Sequence, residues 1–306
     1  MQADGKVITA MYTGKKGDTT VDSETGEIRS VRFDPDMKKH TVGGGHKVRG
    51  VKFTIVSART EHLRVILDHE HVPFSGEGGE AGVSMRCLRR LSPLIPGAQG
   101  VNYDMAMKGV HINTAMRDMG WLILTKVAKD RNDTYEAWNI EDQEVETTEG
   151  SKTAVHVFAL KGRPGLRELN DRGEEIFVPL ERLKTERRGG TGGFRFYGEY
   201  ALPPEYRAVK PLRLRLHGNE DDARRDLNRT EHLRAIPPGD MDFRKLNRRR
   251  NDAESINRAL EDTFYWGRAH SVGRVAQDAD LLGFGLGMNA LSWHRHRKRA
   301  GLPAAA

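Results

Sequence analysis

The sequence predicts an α/β protein, a mixed sheet flanked by helices and interrupted by a β-rich insertion. Three observations predict it. Runs rich in β-branched residues come first, in Val51–Ser57 above all. Helix-period and strand-period segments then alternate as far as residue 128. After a stretch of short strands, helical periodicity returns in a strongly basic C-terminal part.

The elements follow in order. Lys6–Tyr12 reads as a first strand, followed by a polar loop over Thr13–Glu27. Val51–Ser57 alternates in polarity, Leu63–Leu67 is a second such run, and Gly43-Gly44-Gly45 and Gly50 punctuate the approach. Helical spacing of Val83, Cys87, Leu88, Leu91 and Leu94 predicts a helix over Gly79–Leu94, closed by Pro96-Gly97. Gly100–Asp104 reads as a strand. A helical stretch through Ile112, Ala115, Met116 and Met119 stops at Gly120, and Trp121–Val127 is the next strand.

Residues 129–235 have a different composition. The acidic run Glu141–Glu146 leads into predicted strands at Ala154–Leu160, Glu175–Val178, Phe194–Tyr200 and Leu212–Leu216. Gly-Arg-Pro-Gly at 162–165 and the glycine-rich 189–193 separate them, the latter as a flexible hairpin tip, and no helix is predicted. Helices resume after Pro237-Pro238-Gly239. Arg250, Glu254, Asn257, Arg258 and Glu261 share one helical face, while Ala253, Ile256, Leu260 and Phe264 line another. A last helix through Leu281, Leu286 and Trp293 is weakened by Gly283, Gly285 and Gly287, each costing about 1 kcal/mol relative to alanine. The only low-complexity tract is Ala304–Ala306. These segments divide the chain into 1–128, 129–235, 236–299 and a tail at 300–306.

Composition narrows the function classes. The chain has 306 residues, 37% hydrophobic content and a mean hydropathy of −0.65. It has no apolar run near the ~20 residues that span a bilayer, and Met1–Lys6 lacks the apolar core of a signal peptide. The single cysteine, Cys87, excludes an intrachain disulfide or a thiolate zinc site, so a reducing cytoplasm is expected. Net charge is +7, and from Ala223 to Arg299 there are 16 Lys+Arg against 10 Asp+Glu. A basic surplus in that quarter of the chain is the electrostatic footprint of a polyanion partner.

Two carboxylates stand out. Asp104 lies at a predicted strand end, and Glu254 lies on a helical face among arginines. Phosphodiester cleavage by two divalent cations roughly 3.5–4 Å apart needs two or three such carboxylates. Other groupings carry less chemistry. His69 and His71 are not expected to share a metal without a third ligand. Gly43–Lys47 lacks phosphate-loop spacing. Trp121, Trp138, Trp266 and Trp293 are expected in the core.

The context of both carboxylates resembles a known family. Arg250-Asn251-Asp252-Ala253-Glu254-Ser255-Ile256-Asn257-Arg258, with Gly267-Arg268-Ala269-His270-Ser271-Val272-Gly273 after it, resembles the last block of bacterial insertion-sequence DDE transposases. Tyr103-Asp104-Met105-Ala106-Met107-Lys108-Gly109-Val110-His111 resembles their second-aspartate block. The likeness runs along nearly the whole chain and is greatest to the type abundant in actinobacteria. Where some relatives carry a lysine seven residues after the glutamate, this chain has Glu261.

The resemblance implies a ribonuclease-H-like core, in two parts at 1–128 and 236–299, with 129–235 as the β-rich insertion. It implies DNA strand cleavage and transfer with two Mg²⁺ ions, or Mn²⁺ in their place, held by Asp4, Asp104 and Glu254. Asp4 enters through Asp4-Gly5-Lys6, which matches the family's first-strand block. Asp22, Asp34 and Asp36 are alternatives, and Asp34-Pro35-Asp36 reads as a turn. Lys108, Arg249, Arg250, Arg258 and Arg268 are the expected phosphate contacts. Expected partners are double-stranded DNA (transposon ends and target) and a second copy of the chain, with no membrane. The expected location is the bacterial cytoplasm, at the nucleoid. With three residues before Asp4, the chain is expected to lack the family's N-terminal DNA-binding region. The competing expectation is a truncated, inactive remnant that at most binds DNA; a nuclease on the same fold would share every carboxylate.

Overall fold

The computed structural model describes residues 1–60, 63–76, 78–129 and 136–301. Residues 130–135 of the expected insertion lie outside the described residues, as do tail residues 302–306 with their alanine tract. In chain order, strands β1 (Gln2–Thr9), β2 (Thr19–Val21), β3 (Ile28–Ser30), β4 (Lys38–Thr41), β5 (Lys47–Arg59) and β6 (Arg64–His71) precede helix α1 (Gly79–Leu91). Next come β7 (Gly100–Asn102), α2 (Gly109–Thr114) and β8 (Leu122–Leu124). Seven strands follow: β9 (Trp138–Glu146), β10 (Lys152–Leu160), β11 (Arg163–Leu169), β12 (Glu175–Pro179), β13 (Glu181–Arg188), β14 (Arg195–Ala201) and β15 (Leu212–Arg215). Helices α3 (Glu220–Arg224), α4 (Arg229–His232), α5 (Met241–Asn247), α6 (Asn251–Leu260) and α7 (Arg274–Arg299) complete the chain. The class is mixed α/β. The chain forms two compact units, Met1–Pro96 with Arg250–Ala306, and Gly97–Arg249.

In the first unit β5 is paired antiparallel with β1, β4 and β6. The β1–β5 register sets Asp4 opposite Ile55, Lys6 opposite Phe53 and Ile8 opposite Val51. Because strand side chains alternate, these six share one face. On that face Ile8, Val51, Phe53 and Ile55 form a core with Ile256, Leu260, Leu281 and Phe284 of α6 and α7. The opposite face receives α1, where the buried hydroxyls of Thr54 and Ser84 bond at 2.7 Å. Arg86 and Arg90 of α1 bind Glu70 and Asp68 of β6. Burial, with Asp68 beside it, pushes the neighbouring Cys87 thiol up to about 12, which keeps it protonated.

Helix α7 runs unbroken for 26 residues despite its glycines. Long-range bonds offset their low propensity. Asn289 bonds both the N–H and the C=O of Ile66 at 2.8 Å, and Ser292 donates to the Arg64 carbonyl. Its first turn is held by the 34–36 turn: Asp34 accepts from the Gly273 N–H and the Gln277 amide, each at 3.0 Å, and Asp36 accepts from the Arg274 N–H at 2.8 Å.

In the second unit β7 and β8 pair in parallel, joined through α2. β9–β12 form an antiparallel sheet in the order β12-β11-β10-β9, and β13-β14-β15 form another. Val155, Val157, Leu166, Tyr200, Leu212 and Leu214 make the core here. At its edge Arg229, 1% exposed, binds Asp222 through Nε and Nη2 and Glu141 through Nη1 at 2.6 Å. Arg215 also binds Asp222, at 2.6 Å. Burial pushes the Asp222 carboxyl up, but Arg229 and Arg215 outweigh it and hold it below its usual range.

Several elements differ from the sequence reading. Glu141–Glu146 belongs to strand β9, with Ile140 inward and its exposed carboxylates outward. The Gly-Arg-Pro-Gly segment opens β11 rather than separating strands. Short helices α3 and α4 occur where none was expected, because the Asn219 side chain accepts from the Asp222 N–H and caps α3. The glycine-rich 189–193 tip is fastened by Arg117, which donates to the carbonyls of Gly192 and Phe194. Of the four tryptophans only Trp121 is in the core; Trp138, Trp266 and Trp293 are exposed.

Arg229→Leu would leave half-buried Glu141 without its arginine and buried Asp222 with Arg215 alone, and is expected to lower unfolding free energy by about 3 kcal/mol. A lower urea midpoint at unchanged m checks this, with exposed Arg224→Leu as a near-neutral control. His217 gives a pH test. Burial, with Arg117, Arg215 and Arg195 nearby, pushes it down to about 4. In its neutral form Nδ1 accepts from the Phe196 N–H at 3.0 Å. The unfolded chain takes up this proton near 6.5, whereas the fold refuses it until about 4. Stability is therefore expected to fall as pH drops through that window. Urea midpoints from pH 7 to 4 should show a shallower fall in His217→Asn, whose amide oxygen replaces Nδ1 as acceptor.

Candidate functional site

The site is built on one strand–helix contact of the first unit. Alternation sends Asp4 and Lys6 of β1 toward α6 and Gly5 the other way. Asp4 Oδ2 accepts from Asn257 Nδ2 at 2.8 Å, and Lys6 Nζ pairs with Glu261 Oε1 at 2.7 Å. Asn257 and Glu261 stand one helical turn apart, so the two contacts clamp β1 along α6. On the far face, a Cβ at Gly5 would lie 2.3 Å from the Glu80 carboxyl, which pairs there with Lys52. Glycine at position 5 leaves space for that ion pair.

Glu254 lies on α6 one turn before Asn257 and is exposed. Among the described residues no hydrogen bond or ion pair involves its carboxylate. The first turn of α6 is anchored by Asp252, a buried carboxylate two residues earlier that pairs with Arg59 and Arg64. Sequence reading passed over Asp252, Asn257 and Lys6 as site residues. The usable signal was spacing: Asn257 and Glu261 repeat at i, i+4 on the helix, as Asp4 and Lys6 repeat at i, i+2 on the strand.

Asp104 belongs to the second unit, two residues beyond β7 and half-buried. Its Oδ1 accepts from the Ala106 N–H at 2.8 Å, and its carbonyl accepts from Thr125 Oγ1. This holds the turn that leads to α2. At the helix start, the Gly109 N–H donates to Glu231 and Thr230 Oγ1 donates to the Gly109 carbonyl. A Cβ at Gly109 would meet the Glu231 nitrogen at 2.5 Å, so glycine there permits close packing on α4.

The expected phosphate contacts fall in both units. Arg258 and Arg268 are exposed and Arg250 is half-buried in the first unit; Lys108 and Arg249 are exposed in the second. Arg258 pairs with Asp262 at 3.1 Å, a solvent-exposed pair that polyanion phosphates can displace. Of the alternative first carboxylates, Asp34 and Asp36 cap α7, and Asp22 closes the β2–β3 hairpin by accepting from Glu24 and Thr25 N–H groups. His69 Nε2 lies 3.2 Å from Asp278 of α7.

Carboxylates are the oxygen donors that hard divalent cations take. Among the described residues, however, no three Asp, Glu, His or Cys side chains are gathered as a metal-binding group. Compared with known proteins, the chain matches no family model and no curated sequence. Among the described residues no helix is long and apolar enough to cross a membrane.

The strand–helix contact yields a test. Asn257→Asp would set two carboxylates together where the amide now donates to Asp4, raising the pair's carboxyl pKa. A raised folded-state carboxyl pKa destabilises above that pKa, and the deficit is relieved as pH falls through it. The variant is expected to lose about 1–3 kcal/mol at pH 7 and to approach the parent near pH 4.5. Denaturation at both pH values measures this, and an equal deficit at each would mean the two side chains do not meet.

Proposed function

We propose that this chain is a DDE-type, transposase-like DNA strand-transfer protein with a ribonuclease-H-like core. The observation that carries the proposal is the Asn257–Asp4 hydrogen bond. It holds the first-strand aspartate against Asn257, one helical turn from Glu254 and inside the glutamate segment that carries part of the family resemblance. The fold part is supported by the succession of elements. Antiparallel strands β1, β5 and β6 are followed by α1, then β7, α2 and a β8 parallel to β7.

In this reading Asp4, Asp104 and Glu254 are the carboxylates that would hold two Mg²⁺ ions. When bound, such ions stabilise the attacking and leaving oxygens of a phosphodiester. The chain's own residues do the rest. Asn257 orients the Asp4 carboxylate, and the Lys6–Glu261 pair keeps β1 and α6 aligned. Asp252 holds the first turn of α6, leaving Glu254 pointing to solvent and free to meet substrate. Lys108, Arg249, Arg250, Arg258 and Arg268 attract DNA phosphates with salt-dependent strength and carry no base sequence information. Double-stranded DNA is the proposed partner, and a chromosome-bound place in the cytoplasm follows from it.

The test is nicking of supercoiled plasmid in Mg²⁺ or Mn²⁺ by the whole chain and by Asp4→Asn, Asp104→Asn and Glu254→Gln variants. Nicking by the parent is expected, falling to the no-protein level in each folded variant. A parent that is folded by circular dichroism, binds DNA and does not nick would sink the enzymatic reading in favour of an inactive DNA-binding remnant.

A further inference from the structure

We propose that Trp266 is a stacking residue for an unpaired nucleobase of the DNA substrate, with Arg268 beside it for that nucleotide's phosphate. Among the described residues Trp266 is the most exposed large hydrophobic side chain, at 80%. Its backbone lies in the left-handed region, at φ 49° and ψ 44°. The Arg268 N–H bonds the Tyr265 carbonyl at 3.1 Å, so residues 265–268 form a tight turn. Both central residues of that turn, Trp266 and Gly267, have positive φ. Such a mirror-image turn favours asparagine or glycine at its first central position, and a bulky ring there is an outlier. Fold stability thus opposes tryptophan here twice, through exposed apolar surface and through backbone strain. Strain of this kind persists where the surroundings fix it, and it collects at ligand sites.

The surroundings fix the turn on both sides. Helix α6 continues through a wider turn at Glu261–Tyr265, closed by the Trp266 N–H on the Glu261 carbonyl at 2.8 Å. Tyr265 is 1% exposed, and Ala269, equally buried, donates its N–H to the Thr9 carbonyl at the end of β1. The indole is thus held out on a rigid mount, and among the described residues no ring or cation lies on its faces. Arg268 is exposed and makes no ion pair among the described residues. A flat apolar ring next to an uncommitted cation suits a base with its phosphate, since every base has a π-face. In a duplex those faces are covered by neighbouring bases, so the base received is unpaired. Glu254, Arg258 and Asp262 are exposed at i, i+4 and i+8 along the same helix, leading toward Trp266. At about 1.5 Å per residue Trp266 stands roughly 18 Å from Glu254, the span of about five nucleotides at ~3.4 Å each. The inference rests on the strand-transfer reading for the identity of the polymer as DNA.

Fluorescence anisotropy of the whole chain tests it, with a labelled blunt duplex and the same duplex carrying a single-stranded tail, both without divalent metal. The parent is expected to bind the tailed duplex more tightly. Trp266→Ala should weaken that binding at least about tenfold while holding the blunt duplex as the parent does. Trp266→Phe should keep most of the preference. An unpaired 2-aminopurine in the tail should dim on binding the parent and stay bright with Trp266→Ala, which a structural role would not produce. Trp266→Asn suits the left-handed backbone, so its urea midpoint should rise while its tail binding falls to that of Trp266→Ala. Equal weakening on both DNAs, weakening on neither, an undimmed 2-aminopurine with the parent, or a Trp266→Asn chain less stable than the parent would each overturn the proposal. A parent that binds no DNA would sink the strand-transfer reading with it. A parent that prefers the tail through Trp266 and does not nick plasmid would sink the enzymatic reading alone.

Discussion

In the first unit, strand β1 must serve two helices at once, and the antiparallel register with β5 makes this possible. That register turns Asp4, Lys6 and Ile8 toward α6 and turns Gly5 toward α1. Ile8 supplies apolar contact to the shared core, Lys6 a half-buried ion pair and Asp4 a hydrogen-bond acceptor. A slip of one residue would exchange the faces. Glycine would then meet α6, and the two charged side chains would meet α1. The position of Glu254 relative to Asp4 therefore depends on strand pairing as much as on helix packing.

The second unit relies on a different constraint. Its sheets are short, and buried charge fastens their edges. Arg229 joins Asp222 to Glu141, tying the α3–α4 segment to β9. Arg234, likewise buried, donates to the carbonyls of Thr230 and Glu231. Burial, partly countered by Glu231, pushes Arg234 down to about 10, still well above neutral, so it stays charged. Such pairs hold one geometry because each lost partner leaves a buried charge uncompensated. The aspartate-bearing turn after β7 inherits that rigidity through α2 and α4, where Glu231 and Thr230 grip Gly109.

Helix α7 shows how tertiary contacts override local propensity. Three glycines within five residues would fray an isolated helix. Here Asn289 and Ser292 bind the β6 backbone, Asp34 and Asp36 hold the first turn, and Phe284 and Leu281 fill the core. Gly285 is buried beside Ile66, where a Cβ would make only ordinary contact, while Gly283 and Gly287 face outward. The same three residues that weaken the helix on paper therefore divide into one that packs inward and two that shape its outer surface.

Much of this was determined by sequence alone, wherever the cause is local. Alternating Val-Lys-Phe-Thr-Ile-Val-Ser at 51–57 makes a strand, the 3.6-residue spacing of Ala253, Ile256 and Leu260 buries one side of α6, and Gly120 ends a helical stretch at positive φ. Asp4, Asp104 and Glu254 were legible as candidate carboxylates because their neighbours along the chain form recognisable blocks. Only tertiary structure decided which polar residues touch. Asn257 and Asp4 are 253 positions apart, Asp252 and Arg59 193 positions apart; spacing shows which residues share a face of one element but not which face meets which across that distance. It also decided that the acidic run at 141–146 would be a strand and that Trp266 would stand in solvent, although propensity and hydrophobicity favoured the opposite. Periodicity is a property of neighbouring residues and can be read along the chain. Partnership between distant charges depends on register, and register exists only once the strands have paired.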